Sequence, residues 1–126
     1  MHFPEELYYT REHEWLRLTE NGEALVGITD YAQSQLGDIV YVDIPTVGQK
    51  LEGGSVFGTV EAVKTVSDLY LPVSATILEK NPALDKSPEK VNQDPYGEGW
   101  MIRIRIEKPE ELHQLLRKEA YLTLIT

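Results

Sequence analysis

The chain has 126 residues, 41% of them hydrophobic, and its 21 acidic and 12 basic residues give a formal net charge of -9. A chain of this length can bury one core without disulfides or a structural metal, so we expect residues 1–126 to form a single domain. The acidic charge, with no Lys/Arg cluster, argues against nucleic acid and anionic membranes as partners. Because the chain has no cysteine, it has no disulfide, no thiolate nucleophile and no thiolate metal site.

The start of the chain and its hydrophobic runs bear on location. Residues 1–6 have neither the basic start and apolar stretch of a secretory signal nor the Arg-rich composition of a transit peptide. No run approaches the roughly 20 apolar residues that a membrane-spanning helix needs. We therefore predict a cytoplasmic protein, and we expect it to be a monomer.

The first predicted elements are two strands joined by a tight turn. Residues 14–19 and 24–28 are rich in apolar and β-branched side chains, and they flank Asn21 and Gly22. Asn-Gly between two such runs is the strongest short signal for a β-hairpin. We therefore predict a hairpin at this position.

A short helix and a third strand follow. Asp30 is a suitable N-cap for a helix over residues 31–36, because Gln33 lies three positions further on. Gly37 is a suitable end for this helix. Residues 38–44 are rich in β-branched side chains and are expected to form a strand.

Lys64 stands between two further runs with strand composition, residues 55–62 and 66–73. This spacing predicts a hairpin with the lysine at its tip. A lysine there extends a flexible four-carbon stem into solvent, and its amine can be acylated. The alternative is an unmodified surface lysine, which is what most exposed lysines are.

The last third of the chain mixes strands, turns and helix. Strands are expected over residues 76–78 and 100–106, the latter with Trp and Ile on one face and Met and Arg on the other. Proline and glycine punctuate residues 82–99, so we expect turns with one or two helical turns at most. A helix is expected to begin at Pro109. Its apolar stripe consists of Leu112, Leu115 and Leu116.

Around Lys64, residues 60–65 read Val-Glu-Ala-Val-Lys-Thr, residues 67–68 read Ser-Asp, and residues 71–75 read Leu-Pro-Val-Ser-Ala. This segment resembles the lipoyl-attachment region of the glycine cleavage system H protein family, whose signature is close to Val-Glu-Ser-Val-Lys-Ala, then Ser-Asp, then Ser-Pro-Val-Ser-Gly. The resemblance spans nearly the whole chain. Its other motifs lie at residues 13–15, 27–33, 36–42 and 94–100.

The resemblance implies a mostly-β fold, a barrel-sandwich hybrid of the lipoyl- and biotinyl-carrier type. Two antiparallel sheets would pack face to face, with short helices and a C-terminal helix. It also implies a carrier rather than an enzyme. Lipoate, attached to Lys64 as an amide, would carry an aminomethyl group from the pyridoxal-phosphate glycine decarboxylase to the tetrahydrofolate-dependent aminomethyltransferase. Dihydrolipoamide dehydrogenase would reoxidise the arm, and a lipoylating enzyme would attach it.

Glu14 and Asp68 are candidates for holding the loaded arm. The family implies that the arm folds into a surface cleft with an acidic residue near the amino terminus of the chain, and Glu14 matches that position. A carboxylate suits a protonated amine, but Glu14 is equally well read as a solvated strand residue. Asp68 is a weaker candidate, because an Asp in a hairpin often bonds its own backbone. His13 is expected to have a structural role.

Four residues depart from the commoner family pattern. Ala62 and Thr65 replace Ser and Ala beside the lysine, and both are small enough to leave modification possible. Ala75 replaces a glycine, which would cost about 1 kcal/mol if the backbone there is left-handed. Gln35 lies where some members have a histidine near the arm.

Several alternatives stay open on sequence alone. The protein could also relay lipoate to 2-oxoacid dehydrogenases, or it could be an unmodified binding module of the same shape. Biotin carriage is disfavoured, because biotinyl domains usually place Met on both sides of the lysine, where this chain has Val63 and Thr65. A small hydrolase using Glu14 and Asp68 ranks last. The three histidines are widely separated and follow no metal-ligand spacing, so no metal site is predicted.

Overall fold

Nine β-strands form two antiparallel sheets in the computed structural model, which describes residues 1–126. The strands are β1 (Tyr8–Tyr9), β2 (Glu14–Leu18), β3 (Glu23–Ile28), β4 (Ile39–Asp43), β5 (Lys50–Leu51), β6 (Val56–Ala62), β7 (Val66–Tyr70), β8 (Ala75–Lys80) and β9 (Ile102–Ile106). One sheet has the order β1-β2-β3-β9-β8-β5 and the other β4-β6-β7. The predicted arrangement of two antiparallel sheets is confirmed.

The main core lies between the two sheets. Its 20 buried residues include Leu16 and Val26 from the six-stranded sheet and Val60 and Leu69 from the three-stranded sheet. Successive residues of a strand point to opposite faces, so Trp15, next to Leu16, lies on the outer face of the larger sheet. There it belongs to a second cluster, which we call the aromatic cluster. Its members are Phe3, Leu7, Tyr9, Trp15, Tyr96 and Tyr121.

The hairpin predicted at Asn21-Gly22 joins β2 to β3. The Glu23 amide donates a 3.0 Å hydrogen bond to the carbonyl of Glu20 and closes a two-residue turn. Asn21 and Gly22 both have positive φ, 57° and 76°. These values are those of a type I′ turn, which matches the twist of the flanking strands.

The predicted short helix is α1 (Asp30–Leu36), but its N-cap is Thr29 and not Asp30. The Thr29 Oγ1 accepts a 3.2 Å hydrogen bond from the Ala32 amide. Asp30 is the first helical residue, and its carboxylate accepts a hydrogen bond from the Gln33 side chain. Both Thr29 and Asp30 are good capping residues, so local sequence alone did not separate them. Gly37 ends the helix with φ 81°, as predicted.

The turns expected before β9 contain two helical turns, α2 (Ala83–Lys86) and α3 (Lys90–Gln93). The alternation predicted for β9 holds from Ile102 onwards, with Ile102 and Ile104 buried and Arg105 exposed. Met101 was expected on the same face as the arginines, and this is wrong. It precedes the strand and is fully buried, because the alternation does not extend past the strand's first residue.

The predicted C-terminal helix is present, but it does not begin at Pro109. A 3₁₀ helix covers Pro109–Gln114, and α4 covers Lys118–Ile125. Between them Leu116 exchanges backbone hydrogen bonds of 2.7 and 2.8 Å with Tyr9. This pairing interrupts the helix and places α4 against the aromatic cluster. None of the helices is both long and apolar enough to span a membrane.

Candidate functional site

Lys64 lies in the three-residue connection between β6 and β7, as predicted. The Ala62 amide donates a 2.8 Å hydrogen bond to the Thr65 carbonyl, and the Val63 amide donates to the Asp38 carbonyl at 3.1 Å. These bonds fix the backbone on both sides of the lysine. The Lys64 side chain is exposed and makes no hydrogen bond or ion pair within the chain. Its amine is therefore free to react.

A cleft of about 260 Å³ lies beside the hairpin. The start of β2, helix α1 and strand β7 form its walls, and β7 begins only two residues after Lys64. Glu14 and Asp68 both line it, so the structure brings these two candidate residues to one place. The other lining residues are Glu12, His13, Ile28, Tyr31, Ala32, Gln35, Leu36, Val60, Ser67 and Leu69.

Glu14 is buried, with only 1% of its surface exposed, so the solvated-strand interpretation is wrong. Its carboxylate accepts hydrogen bonds from the Thr10 hydroxyl at 2.9 Å and from the Tyr70 amide at 3.2 Å. The second bond links β2 of the larger sheet to β7 of the smaller one. Burial raises the pKa of Glu14 to about 8, although both hydrogen bonds oppose the rise.

Asp68 is exposed on β7, and its carboxylate accepts no hydrogen bond from the chain. The self-bonding expected for an Asp in a hairpin is therefore absent. The neighbouring Ser67 hydroxyl donates instead to the backbone carbonyl of Asp68, at 3.4 Å. No group of three or more His, Asp or Glu side chains is arranged to hold a metal ion.

His13 has the structural contacts that the sequence predicted. Its backbone is left-handed, with φ 72°, and its Nδ1 lies 2.9 Å from the Tyr121 hydroxyl. Its ring packs 5.0 Å from the ring of Tyr31. Burial lowers the pKa of His13. Sequence reasoning gave Tyr121 no role here, because the two residues are 108 positions apart.

The departures from the family pattern are accommodated in different ways. Ala75 is the first residue of β8 and is buried, and its φ is not positive, so the replacement of glycine costs no left-handed strain. Gln35 is exposed and lines the cleft. The imidazole that lines this cleft is that of His13.

Comparison with known proteins gives one family over nearly the whole chain. The family model described as Glycine cleavage H-protein matches residues 7–126. A glycine cleavage system H protein of Bacteroides fragilis is 60% identical over 121 residues, which cover 96% of this chain and 95% of that protein. One from Chlorobium limicola is 57% identical over 126 residues, covering 99% of this chain and 98% of that protein.

The fold gives the same result. The crystal structure of a glycine cleavage system H protein from Mycobacterium marinum matches with a TM-score of 0.88 at 37% identity. The match covers 96% of this chain and 97% of the other. Sequence and fold agree from end to end, and the chain therefore belongs to the glycine cleavage H-protein family, whose members are the non-catalytic lipoyl carriers of the glycine cleavage system.

Proposed function

We propose that residues 1–126 form one carrier domain that bears lipoate as an amide on Lys64 and shelters the cargo of the arm in the cleft beside β7. When attached, the lipoyl group supplies the disulfide and dithiol chemistry that a chain without cysteine lacks. The observation that carries the proposal is the pairing of a free hairpin lysine with an adjacent cleft that contains a buried carboxylate.

The residues present fit a lipoyl group. Asp68 lies at most about 13 Å along the strand from Lys64, since each strand residue advances about 3.3 Å. A lysine stem extended by the acyl chain of lipoate spans such a distance. Apolar side chains cover part of the cleft, and they suit the hydrocarbon portion of such an arm. They are Ile28, Ala32, Leu36, Val60 and Leu69.

The chain's own contribution is to bind the end of the arm and exclude water. Glu14 is neutral or charged depending on what lies beside it, because burial has moved its pKa close to neutrality. A protonated amine placed against this carboxylate favours the charged form and gains a charge-assisted hydrogen bond. Thr10 and the Tyr70 amide hold the carboxylate in place for this contact.

Partner enzymes are proposed to dock at the lysine tip. They are glycine decarboxylase, aminomethyltransferase, dihydrolipoamide dehydrogenase and the lipoylating enzyme. Val63 and Val66 flank Lys64 with 73% and 58% of their surfaces exposed. Tyr41 of β4, which pairs with Glu61 of β6, is 51% exposed. Such apolar exposure beside a reactive residue is typical of an interaction surface. Cytoplasmic location remains a prediction from the sequence.

The test is the lifetime of an aminomethyl group on the lipoylated protein, measured as spontaneous release of ammonia and formaldehyde. Glu14→Ala should hasten the release and leave lipoylation of Lys64 intact. Glu52→Ala, which removes an exposed carboxylate outside the cleft, is the matched control. Equal lifetimes in the two variants would refute a sheltering role for Glu14. Asp68→Ala in the same assay decides whether Asp68 contributes.

A further inference from the structure

Tyr121 connects the C-terminal helix to two walls of the cleft. Its side chain is fully buried, and its ring stacks on Tyr9 with centroids 4.8 Å apart and an interplanar angle of 9°. Its hydroxyl reaches the Nδ1 of His13 at 2.9 Å and the Oγ1 of Thr29 at 2.8 Å. His13 immediately precedes Glu14 on one wall, and Thr29 caps α1, which forms another.

The hydrogens of this group can be assigned by counting donors and acceptors. Thr29 Oγ1 already accepts from the Ala32 amide, and its own proton finds an acceptor only in the Tyr121 oxygen. Tyr121 then has one proton left, which it donates to His13 Nδ1. The reverse order would leave the buried Thr29 proton with no acceptor, which is rare in folded proteins. His13 is therefore neutral and carries its proton on Nε2.

We propose that Tyr121 is a positioning residue of the cleft, which fixes His13 as the Nε2–H tautomer and so presents an N–H donor to a hydrogen-bond acceptor on the lipoyl arm. The arm's amide carbonyl is an acceptor of this kind. Nδ1 is occupied by Tyr121, and Nε2 has no hydrogen-bond partner within the chain. His13 lines the cleft, and in this proposal its free Nε2–H faces the arm.

The left-handed backbone of His13 explains why such a fixing contact is needed. Non-glycine residues adopt positive φ at a cost, and they keep it only where their surroundings determine it. At His13 three bonds do so. The amide of His13 donates to the Thr10 carbonyl at 3.1 Å, the carbonyl of His13 accepts from the Thr29 amide at 3.0 Å, and the side chain meets Tyr121. The proposal rests on the cleft serving the arm, as argued above.

The first experiment uses the unmodified protein and so does not depend on the arm. Ring nitrogen chemical shifts of His13, followed by NMR across pH, report the tautomer and the titration midpoint. The wild type should show a single neutral tautomer, and Tyr121→Phe should show a mixture of tautomers with a shifted midpoint. Glu12, Glu14, Tyr31 and Tyr121 are the titratable groups around this ring.

Tyr9→Phe is the matched control. It removes one hydroxyl from the same aromatic cluster and keeps the ring, but that hydroxyl donates to the carbonyl of Pro4 and not to the cleft. The His13 spectrum should therefore be unchanged in this variant. If Tyr121→Phe gives the same His13 spectrum as Tyr9→Phe, the positioning role is overturned.

The second experiment measures spontaneous release of the aminomethyl group from lipoylated variants. Tyr121→Phe should release it about fivefold faster than Tyr9→Phe, the effect of one neutral hydrogen bond. In a His13→Asn background, where Asn tolerates the left-handed backbone, adding Tyr121→Phe should produce no further acceleration. Full acceleration in that background would show that Tyr121 does not act through His13.

The two proposals fail separately. If Glu14→Ala leaves the release rate unchanged, Glu14 does not shelter the cargo, whatever the His13 spectrum shows. If Glu14→Ala accelerates release while Tyr121→Phe matches Tyr9→Phe, the cleft serves the arm without help from Tyr121.

Discussion

At the scale of single residues, Lys64 is separable from the fold. Its side chain is exposed and makes no contact that stabilises the core. Lys64→Arg should therefore abolish lipoylation and change the free energy of unfolding by no more than about 0.5 kcal/mol. Intact mass and peptide mapping check the first outcome, and denaturant unfolding checks the second.

Lys86→Arg is the matched control for this prediction, because Lys86 is an exposed lysine on α2, outside the hairpin. It should keep one lipoyl amide, at Lys64. Wild-type protein with a bare Lys64, from a cell that lipoylates other proteins, would instead favour an unmodified binding module.

Glu14 makes stability depend on pH in a known direction. Its pKa is 4.5 in an unperturbed chain and about 8 in the folded protein. Between these values the folded state keeps a proton that the unfolded state has released, so raising the pH lowers stability. The stabilisation by protonated Glu14 is complete below about pH 4.5 and is lost as the pH rises towards 8.

Glu14→Gln should remove this dependence, because a neutral amide resembles the protonated carboxyl. The free energy of unfolding of the wild type, relative to this variant, should fall by an amount on the order of 5 kcal/mol across the window. Urea unfolding at several pH values measures it. Glu52→Gln changes an exposed carboxylate, and its free energy of unfolding should depend on pH in the same way as that of the wild type. If the free energy of unfolding of Glu14→Gln depends on pH in the same way as that of the wild type, Glu14 has an ordinary pKa in the folded protein.

At the scale of elements, Asn92 on α3 holds the end of α1 against β4. Its Oδ1 accepts from the Ile39 amide, and its Nδ2 donates to the carbonyl of Gly37 and to the side chain of Gln33, each at 2.9 Å. Asn92→Ala leaves the Ile39 amide, the Gly37 carbonyl and the Gln33 side chain without these partners. The free energy of unfolding should fall by roughly 2 to 3 kcal/mol. Thermal or urea unfolding measures the loss.

Gln93→Ala is the control, since Gln93 lies next to Asn92, is exposed and makes no side-chain hydrogen bond. It should change stability by about 0.5 kcal/mol or less. A similar loss in both variants would mean that the short helix, and not the Asn92 side chain, carries the effect.

Local sequence patterns predicted the elements whose signals are local. The β6–β7 hairpin follows from two β-rich runs, and the Asn21-Gly22 turn follows from the need for positive φ. The break at Leu116 could not be read from the sequence, because Leu112, Leu115 and Leu116 also satisfy a helical stripe. Pairing with Tyr9 decides the matter, and that contact is distant in sequence.

In the candidate site, too, the features that depend on local sequence were predictable and those that depend on distant contacts were not. Lys64 could be located because the hairpin that exposes it is local. The burial of Glu14 was not predictable, since it depends on β7 and Thr10 closing over one side chain. The tautomer of His13 depends on Tyr121, near the other end of the chain.

At the scale of the whole molecule, the net charge of -9 should govern how fast partners arrive. Asp43, Glu61 and Asp68 are exposed on the sheet that carries Lys64. Salt shortens the screening length from about 10 Å at 0.1 M to about 3 Å at 1 M. A lipoylating enzyme that docks through a basic face should therefore show a KM for this protein that rises several-fold over that range.

Steady-state lipoylation at increasing KCl measures this effect, with sucrose in place of salt as the control for solvent changes. Asp43→Asn should weaken the salt dependence without altering Lys64. A KM that does not respond to KCl would mean that docking is governed by the apolar tip residues alone.

The contacts of Tyr9 with Leu116 and of His13 with Tyr121 also bear on the order in which parts of the structure form during synthesis. The β6–β7 hairpin needs only residues close to one another in sequence, so it can form as soon as they are available. The cleft wall at His13 is instead held by a contact with Tyr121, 108 positions further along the chain. During synthesis the chain emerges from its amino terminus, and α4 comes last. A nascent chain can thus display its acceptor lysine before the shelter for the cargo is complete.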